Sequence, residues 1–219
     1  MPADVTFAVV HPDCGREAYQ WHRGFAATDM HIYPRTWDTY ERMADDGCIV
    51  CARDPRGDFL GLAYFNLDEG HSLRTWEIGG LMVPGSERSS GIGTTLVCVT
   101  LGQLLFEEQP QQGSDRVVAH VHAENDAPRG LFAKRLKFAH AGTLEIPGAQ
   151  LPGLEADAEG FVVGDEFEMT TPDTLVALAD WCEAWKGKLR DGRAADVSLR
   201  HGIDLGVWSA AFRQMANAP

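Results

Sequence analysis

The chain is short of positive charge. Its 219 residues carry 19 Lys and Arg against 32 Asp and Glu, a formal net charge of −13. Four of the bases are lysines, and the first of them is Lys134. A general nucleic-acid binder needs a basic footprint to displace counterions, so nucleic acid is disfavoured as a partner. An anionic membrane surface would repel such a chain. No segment approaches the ~18 apolar residues of a membrane-spanning helix. The opening Met-Pro-Ala-Asp-Val has no basic stretch followed by an apolar one, so no signal peptide is expected. Cysteine is sparse, at five residues, and the count is odd. A chain this long buries a core without staples, so the five read as reduced thiols and the expected compartment is the cytoplasm.

Hydrophobic residues make up 44% and charged residues 23%, the balance of a soluble globular chain. Val5 to Val10 reads as a strand, followed by helices at about 15–25 and 37–44. Residues 48–53 and 59–65 flank Asp54-Pro-Arg-Gly-Asp, a hairpin signal with Pro and Gly at turn positions. A third strand is expected at 73–83, after a polar turn at 68–72. A long helix follows at 93–108, where Leu96, Val97, Thr100, Leu101, Leu104 and Leu105 recur at helical spacing and form one apolar face. Val117 to Ala123 reads as a buried strand and 127–138 as a short helix. Two more strands are expected at 140–146 and 166–170, joined by a Gly/Pro-rich connection at 147–164. The tail holds helices at 171–189, with Thr171 as cap and Pro172 at its first position, and at 205–215. Strand pairs followed by interleaved helices and strands give a mixed α/β or α+β layer.

Chemistry concentrates where the third strand meets the long helix. The loop offers Arg88, then Gly91 and Gly93 at the helix entry. Glycines let backbone approach a ligand closely, and a helix N-terminus offers unpaired N–H groups. Together they suit a phosphate, with Arg88 adding charge. Thr94 stands where a P-loop needs Lys, and Leu96 where a dinucleotide fingerprint needs its third Gly.

Arg88-x-x-Gly91-x-Gly93, with Val83 five residues ahead, resembles the acyl-CoA loop of the GCN5-related N-acetyltransferases, the GNAT superfamily. The run from Val117 through Asn125, Arg129 and Phe132 to Phe138 is similar to that family's second signature. The resemblance covers about residues 5–170. It implies a GNAT-like acyl-CoA N-acyltransferase fold with splayed central strands, residues 1–170 forming the acetyltransferase domain and 171–219 a C-terminal helical extension. It implies acetyl-CoA as co-substrate and no metal. By position, the backbone of Leu81, Met82 and Val83 would face the pantetheine arm. Arg88, Ser89, Ser90, Gly91, Ile92, Gly93 and Thr94 would hold the pyrophosphate. Asn125 would meet the thiol end, with Arg129 near the phosphates.

Transfer to an amine needs the amine deprotonated, and a carboxylate can take that proton. Glu77, six residues before Val83, is the candidate base. Alternation places it on the face of Gly79, Leu81 and Val83. The alternative is a salt-bridged or solvent-facing strand Glu. Phe132 departs from the Tyr that protonates the leaving thiolate in many members, and Lys137 from the Gly that commonly precedes the last Phe. Phe132 motivates a second reading, a catalytically weak GNAT-fold module that binds acyl-CoA as a sensor or partner.

His120 and His122 share a strand face and could be ligands or a base, or plain strand histidines. Cys48 and Cys51 match a knuckle by pattern only and read as buried. Trp181, Trp185 and Trp208 read as packing or dimer contacts, which leaves a homodimer open. Residues 145–173 hold eight acids and no Lys or Arg. If that span borders the acceptor channel, the partner is a cationic amine, either a small molecule or protein-borne. Otherwise it is a solvated loop.

Overall fold

In the computed structural model, residues 3–68, 73–111, 114–200 and 204–218 are described. The expected turn at 68–72 lies, beyond Asp68, outside them. The hairpin forms as its turn residues dictate. Strands β2 (Ile49–Arg53) and β3 (Phe59–Asp68) pair antiparallel. Between them the Asp54 carboxylate accepts from the N–H groups of Arg56 and Asp58, each at 2.9 Å.

Strand β1 (Val5–Val9) pairs with β2, and β4 (Arg74–Met82) pairs with β3, both antiparallel. The other strands are β5 (Asp115–His122), β6 (Ala139–Pro147), β7 (Phe161–Glu168) and β8 (Ala195–Ser198). They complete one eight-stranded mixed sheet in the order β6-β7-β5-β4-β3-β2-β1-β8. Pairing is parallel at β4–β5 and at β1–β8. The helices are α1 (Gly15–Ala26), α2 (Trp37–Asp45), α3 (Ile92–Glu107), α4 (Asp126–Gly130), α5 (Thr171–Ala184) and α6 (Leu205–Ala216). This is the mixed α/β layer that the sequence led one to expect.

Four local outcomes differ from the sequence reading, each for a physical reason. Helix α3 buries Cys98, Val99, Gly102 and Gln103 as well as its expected face. Its outer side is covered by the tail: Trp208 lies where a Gly102 Cβ would sit 2.3 Å from its ring. Strand β7 begins at Phe161, inside the stretch read as a connection. Gly164, expected to end that connection, lies within the strand at a close approach, where a Cβ would come 3.0 Å from the Val121 carbonyl oxygen. Helix α5 ends at Ala184 rather than Leu189, because Trp185 is extended and Gly187 takes φ +66°. The following chain turns back and adds β8 beside β1, a strand too short to stand out in the sequence.

The helix expected at 127–138 is α4 continued by a π-helical turn over Leu131–Arg135. Lys137, where glycine would be at ease, itself takes φ +61°. All five cysteines are free thiols, and Cys48 and Cys51 are buried. Trp208 is 1% exposed and packs at a tilt against Phe106 and Phe212, while Trp185 meets Phe7 and Trp181.

Candidate active site

The site begins where two parallel strands part. Strands β4 and β5 pair from Arg74↔Asp115 to Glu77↔Val118 and no further. Beyond that point β5 is held by β7 instead, through His122↔Gly164. On its other side β4 carries one extra residue against β3, between Leu62↔Met82 and Tyr64↔Gly79. Gly80 makes this bulge. It sits at φ +57°, and a Cβ there would lie 2.0 Å from the Tyr64 ring.

A narrow slot of about 60 Å³ opens in the split, walled by Ile78, Leu81, Val121, Asn125 and Phe132 among others. A larger cavity of about 450 Å³ lies beside it. Gly79, Gly80, His31, His120 and His122 line both.

Glu77 enters this junction, held in a charged row. Its Oε2 accepts from Arg35 Nη2 at 2.7 Å, and its Oε1 lies 3.3 Å from His120 Nδ1. His120 Nε2 lies 3.1 Å from Glu166 Oε2. Arg116 closes the row by donating to Glu166 and Glu168, each at 2.7 Å. Arg35 also donates from Nε to the Tyr64 hydroxyl at 2.9 Å. Burial alone would raise the Glu77 pKa, but the His120 hydrogen bond and the Arg35 charge outweigh it and hold the carboxyl at about 2. Burial alone would lower His120, but Glu77 and Glu166 outweigh it and raise its pKa above the usual 6.5. His120 is the one imidazole of the row, a ring that can take up and give back a proton.

The loop after β4 has the expected form. Ser89 and Gly91 take φ +68° and +105°, and α3 starts at Ile92. The Ser90 hydroxyl donates to the Glu87 carbonyl oxygen at 2.6 Å and accepts from Ile92 N–H at 3.3 Å. Arg88 donates to Val83 O at 3.4 Å and to Asp29 Oδ2 at 3.3 Å. Met82 and Ile92 are fully buried, while Leu81 reaches the slot and Gly93 packs on Val83. Thr94 borders a separate cavity with Gly91. Asn125 stands at the N-cap position of α4, without a side-chain cap bond, and lines the slot. Arg129 turns inward, with Nη2 2.7 Å from Asp165 and Nη1 donating to Ala123 O at 3.0 Å.

Residues 16–138 match the Acetyltransferase (GNAT) family. The chain belongs to the GNAT family. No curated protein matches the sequence. Solved structures share the fold at low identity. A putative acetyltransferase from Acinetobacter baylyi is 16% identical with TM-score 0.59, over 77% of this chain and 93% of that one. A putative acetyltransferase from Salmonella typhimurium, solved with its cofactor acetyl-CoA, is 14% identical with TM-score 0.54, over 76% and 94%. A mosquito arylalkylamine N-acetyltransferase like 5b is 12% identical with TM-score 0.54, over 75% and 98%.

Within this GNAT fold the acidic span does not line the larger cavity as a charged wall. Of its eight acids, Glu166 alone is in the lining, and it is held by Arg116 and His120. The same span contributes Ile146, Leu151, Leu154, Val162 and Val163, facing Ile32 across the cavity. Strand alternation explains this for β6, where Glu145 points out and Leu144 and Ile146 point in. The 148–160 turn is clasped over the α1–α2 loop. Glu155 N–H donates to Met30 O at 3.4 Å, and a Gly153 Cβ would sit 3.1 Å from Pro34.

Phe132 is buried against Phe138 and Phe167 at the slot wall. His122 is not a partner of His120: its ring lies 4.8 Å from that of His31, at the cavity rim. The sequence reading missed Arg35, Tyr64, Arg116 and Glu166. His120 was raised there together with His122, as a ligand or a base or a plain strand histidine, and not as the partner of Glu77.

Proposed function

We propose that this GNAT protein transfers the acetyl group of acetyl-CoA to a primary amine that carries an apolar body. The observation that carries the reading is the Glu77–His120 pair, lodged where the slot meets the larger cavity. The slot between the splayed strands, lined by Leu81, Asn125 and Phe132, fits a thioester arm, and the cavity beside it fits the acceptor. Bound acetyl-CoA supplies an activated acetyl thioester.

Glu77 accepts a hydrogen bond from the incoming ammonium, and the amine proton comes to rest on His120. The amine nitrogen then bonds to the acetyl carbon as the carbon–sulfur bond breaks, and the acetylated nitrogen sheds its second proton to solvent. His120, which lines the slot as well, returns the proton to the leaving thiolate. This supplies the acid that Phe132 lacks. Arg35 and Glu166 hold the pair in place.

The apolar wall favours an acceptor with an aromatic or branched aliphatic body. The test is thiol release from acetyl-CoA over an amine panel. Phenethylamine and isoamylamine are expected to exceed spermidine and lysine peptides in kcat/KM. Acetyl-CoA binding with no thiol release from any amine would instead favour the sensor reading.

A further inference from the structure

The cations that the sequence is short of are gathered in one place. Two adjoining cavities, of about 260 and 430 Å³, share Thr94, Arg135 and Arg190 in their walls. Lys134, Arg135, Lys186, Lys188 and Arg190 line them, and no Asp or Glu does. Three of the chain's four lysines are in this set, in a protein of net charge −13. Among the described residues none of the five side chains has a carboxylate partner. Lys186 Nζ meets only the Glu183 carbonyl oxygen, at 3.4 Å.

The segment carrying three of these cations is fastened to the loop ahead of α3. Arg190 and Asp191 N–H groups donate to Ser90 O at 2.9 and 3.4 Å. Arg193 donates to Glu87 at 2.6 Å. Gly91 leaves room for this strap, since a Cβ there would lie 3.2 Å from Arg190 N. Meanwhile Arg88 and Arg129, the cations nearest the loop and α4 by sequence, are paired with Asp29 and Asp165. An anion at the Gly91–Thr94 turn therefore finds its countercharge on the strap and at Lys134 and Arg135.

We propose that Lys186, Lys188 and Arg190 of the C-terminal extension, with Lys134 and Arg135, bind the phosphate-rich end of CoA and make its 3′-phosphate a determinant of affinity. The proposal rests on acetyl-CoA being the donor. A phosphate monoester brings a charge of about −1.5 to −2, and a cluster of cations without acids is the environment that rewards it. The cluster borders Gly91 and Thr94, at the entry to the helix beside the split strands, and the remainder of the chain repels a polyanion.

The test is calorimetric titration of the full chain with CoA and with 3′-dephospho-CoA at one fixed salt concentration. The wild type is expected to bind CoA about tenfold or more tightly than 3′-dephospho-CoA. Combined Lys188→Ala and Arg190→Ala substitution is expected to weaken CoA by about tenfold or more, to change 3′-dephospho-CoA by less than about threefold, and to leave the melting temperature unchanged. Lys134→Gln, on a different element, is expected to act in the same direction. Unchanged CoA affinity in these variants, or equal wild-type affinity for the two ligands, overturns the proposal alone. Failure of the wild type to bind CoA at all overturns the donor reading as well.

Discussion

His120 Nδ1 lies 3.3 Å from the Glu77 carboxylate, while its Nε2 lies 3.1 Å from Glu166. Parallel pairing sets Glu77 opposite Val118, and His120 is two residues on, on the same face of β5. The sheet stops pairing at that point, so the pair is delivered to the mouth of the split rather than into the core.

The row gives stability an acid limb. The Glu77 pKa is lower in the folded chain, about 2 against an ordinary 4.5, so its contribution is present above about pH 4.5 and is lost as pH falls toward 2. His120 acts the other way. Its raised pKa stabilises below about pH 6.5, and that part is lost as pH rises through the folded value. Glu77→Gln is expected to cost about 3 kcal/mol at pH 6, because half-buried Arg35 loses its carboxylate and keeps the neutral Tyr64 hydroxyl. It should also flatten the loss between pH 4.5 and 2. Denaturant melts across pH measure both.

Gly102→Ala sets two effects against each other. A helix-interior alanine gains about 1 kcal/mol over glycine. The new Cβ, however, would stand 2.3 Å from a Trp208 ring that is boxed in by Phe106 and Phe212. Overpacking costs about 1–3 kcal/mol or more, and so sharp a contact lies at the upper end. A net loss of about 2 kcal/mol is expected, with a shifted tryptophan emission, both read in one urea titration.

Lys137→Gly should stabilise. The lysine is exposed and left-handed, at φ +61°, a conformation that costs a side-chain-bearing residue about 1–2 kcal/mol. Glycine removes that cost and adds unfolded-chain entropy, leaving a gain of about 0.5–1 kcal/mol in a denaturant melt.

The larger cavity's wall is tested at Leu154, on the turn clasped over the α1–α2 loop. Leu154→Asp is expected to raise KM for phenethylamine about tenfold with kcat little changed, and to spare or improve spermidine. Equal effects on both amines would contradict an apolar acceptor site.

Much of the fold was legible because its signals are local. The Asp54–Asp58 turn, the loop of Arg88, Gly91 and Gly93, and the apolar rows of α3 are each set by residues near in sequence. The site was half legible. Glu77 could be placed by strand alternation, but Arg35, Tyr64, Arg116 and Glu166 reach it from other elements, and no local pattern encodes which charges meet. The acids of 145–173 suggested a charged channel. Strand pairing instead turned Leu144, Ile146 and Val162 inward, and register is not written in charge counts. The strap of 186–190 was read as the end of a helix, so its cations went unnoticed.

The most direct measurement is the pH dependence of kcat/KM for acetyl transfer to phenethylamine in the wild type, His120→Gln and Glu166→Gln. The wild type is expected to lose activity on an acid limb whose midpoint lies above 6.5, the ordinary histidine value. Glu166→Gln should move that limb to lower pH, since one of the two carboxylates raising His120 is gone. His120→Gln should abolish the limb and lower kcat/KM by about 10²–10⁴. An unchanged limb in His120→Gln would contradict the account, because the proton would then be taken by some other group.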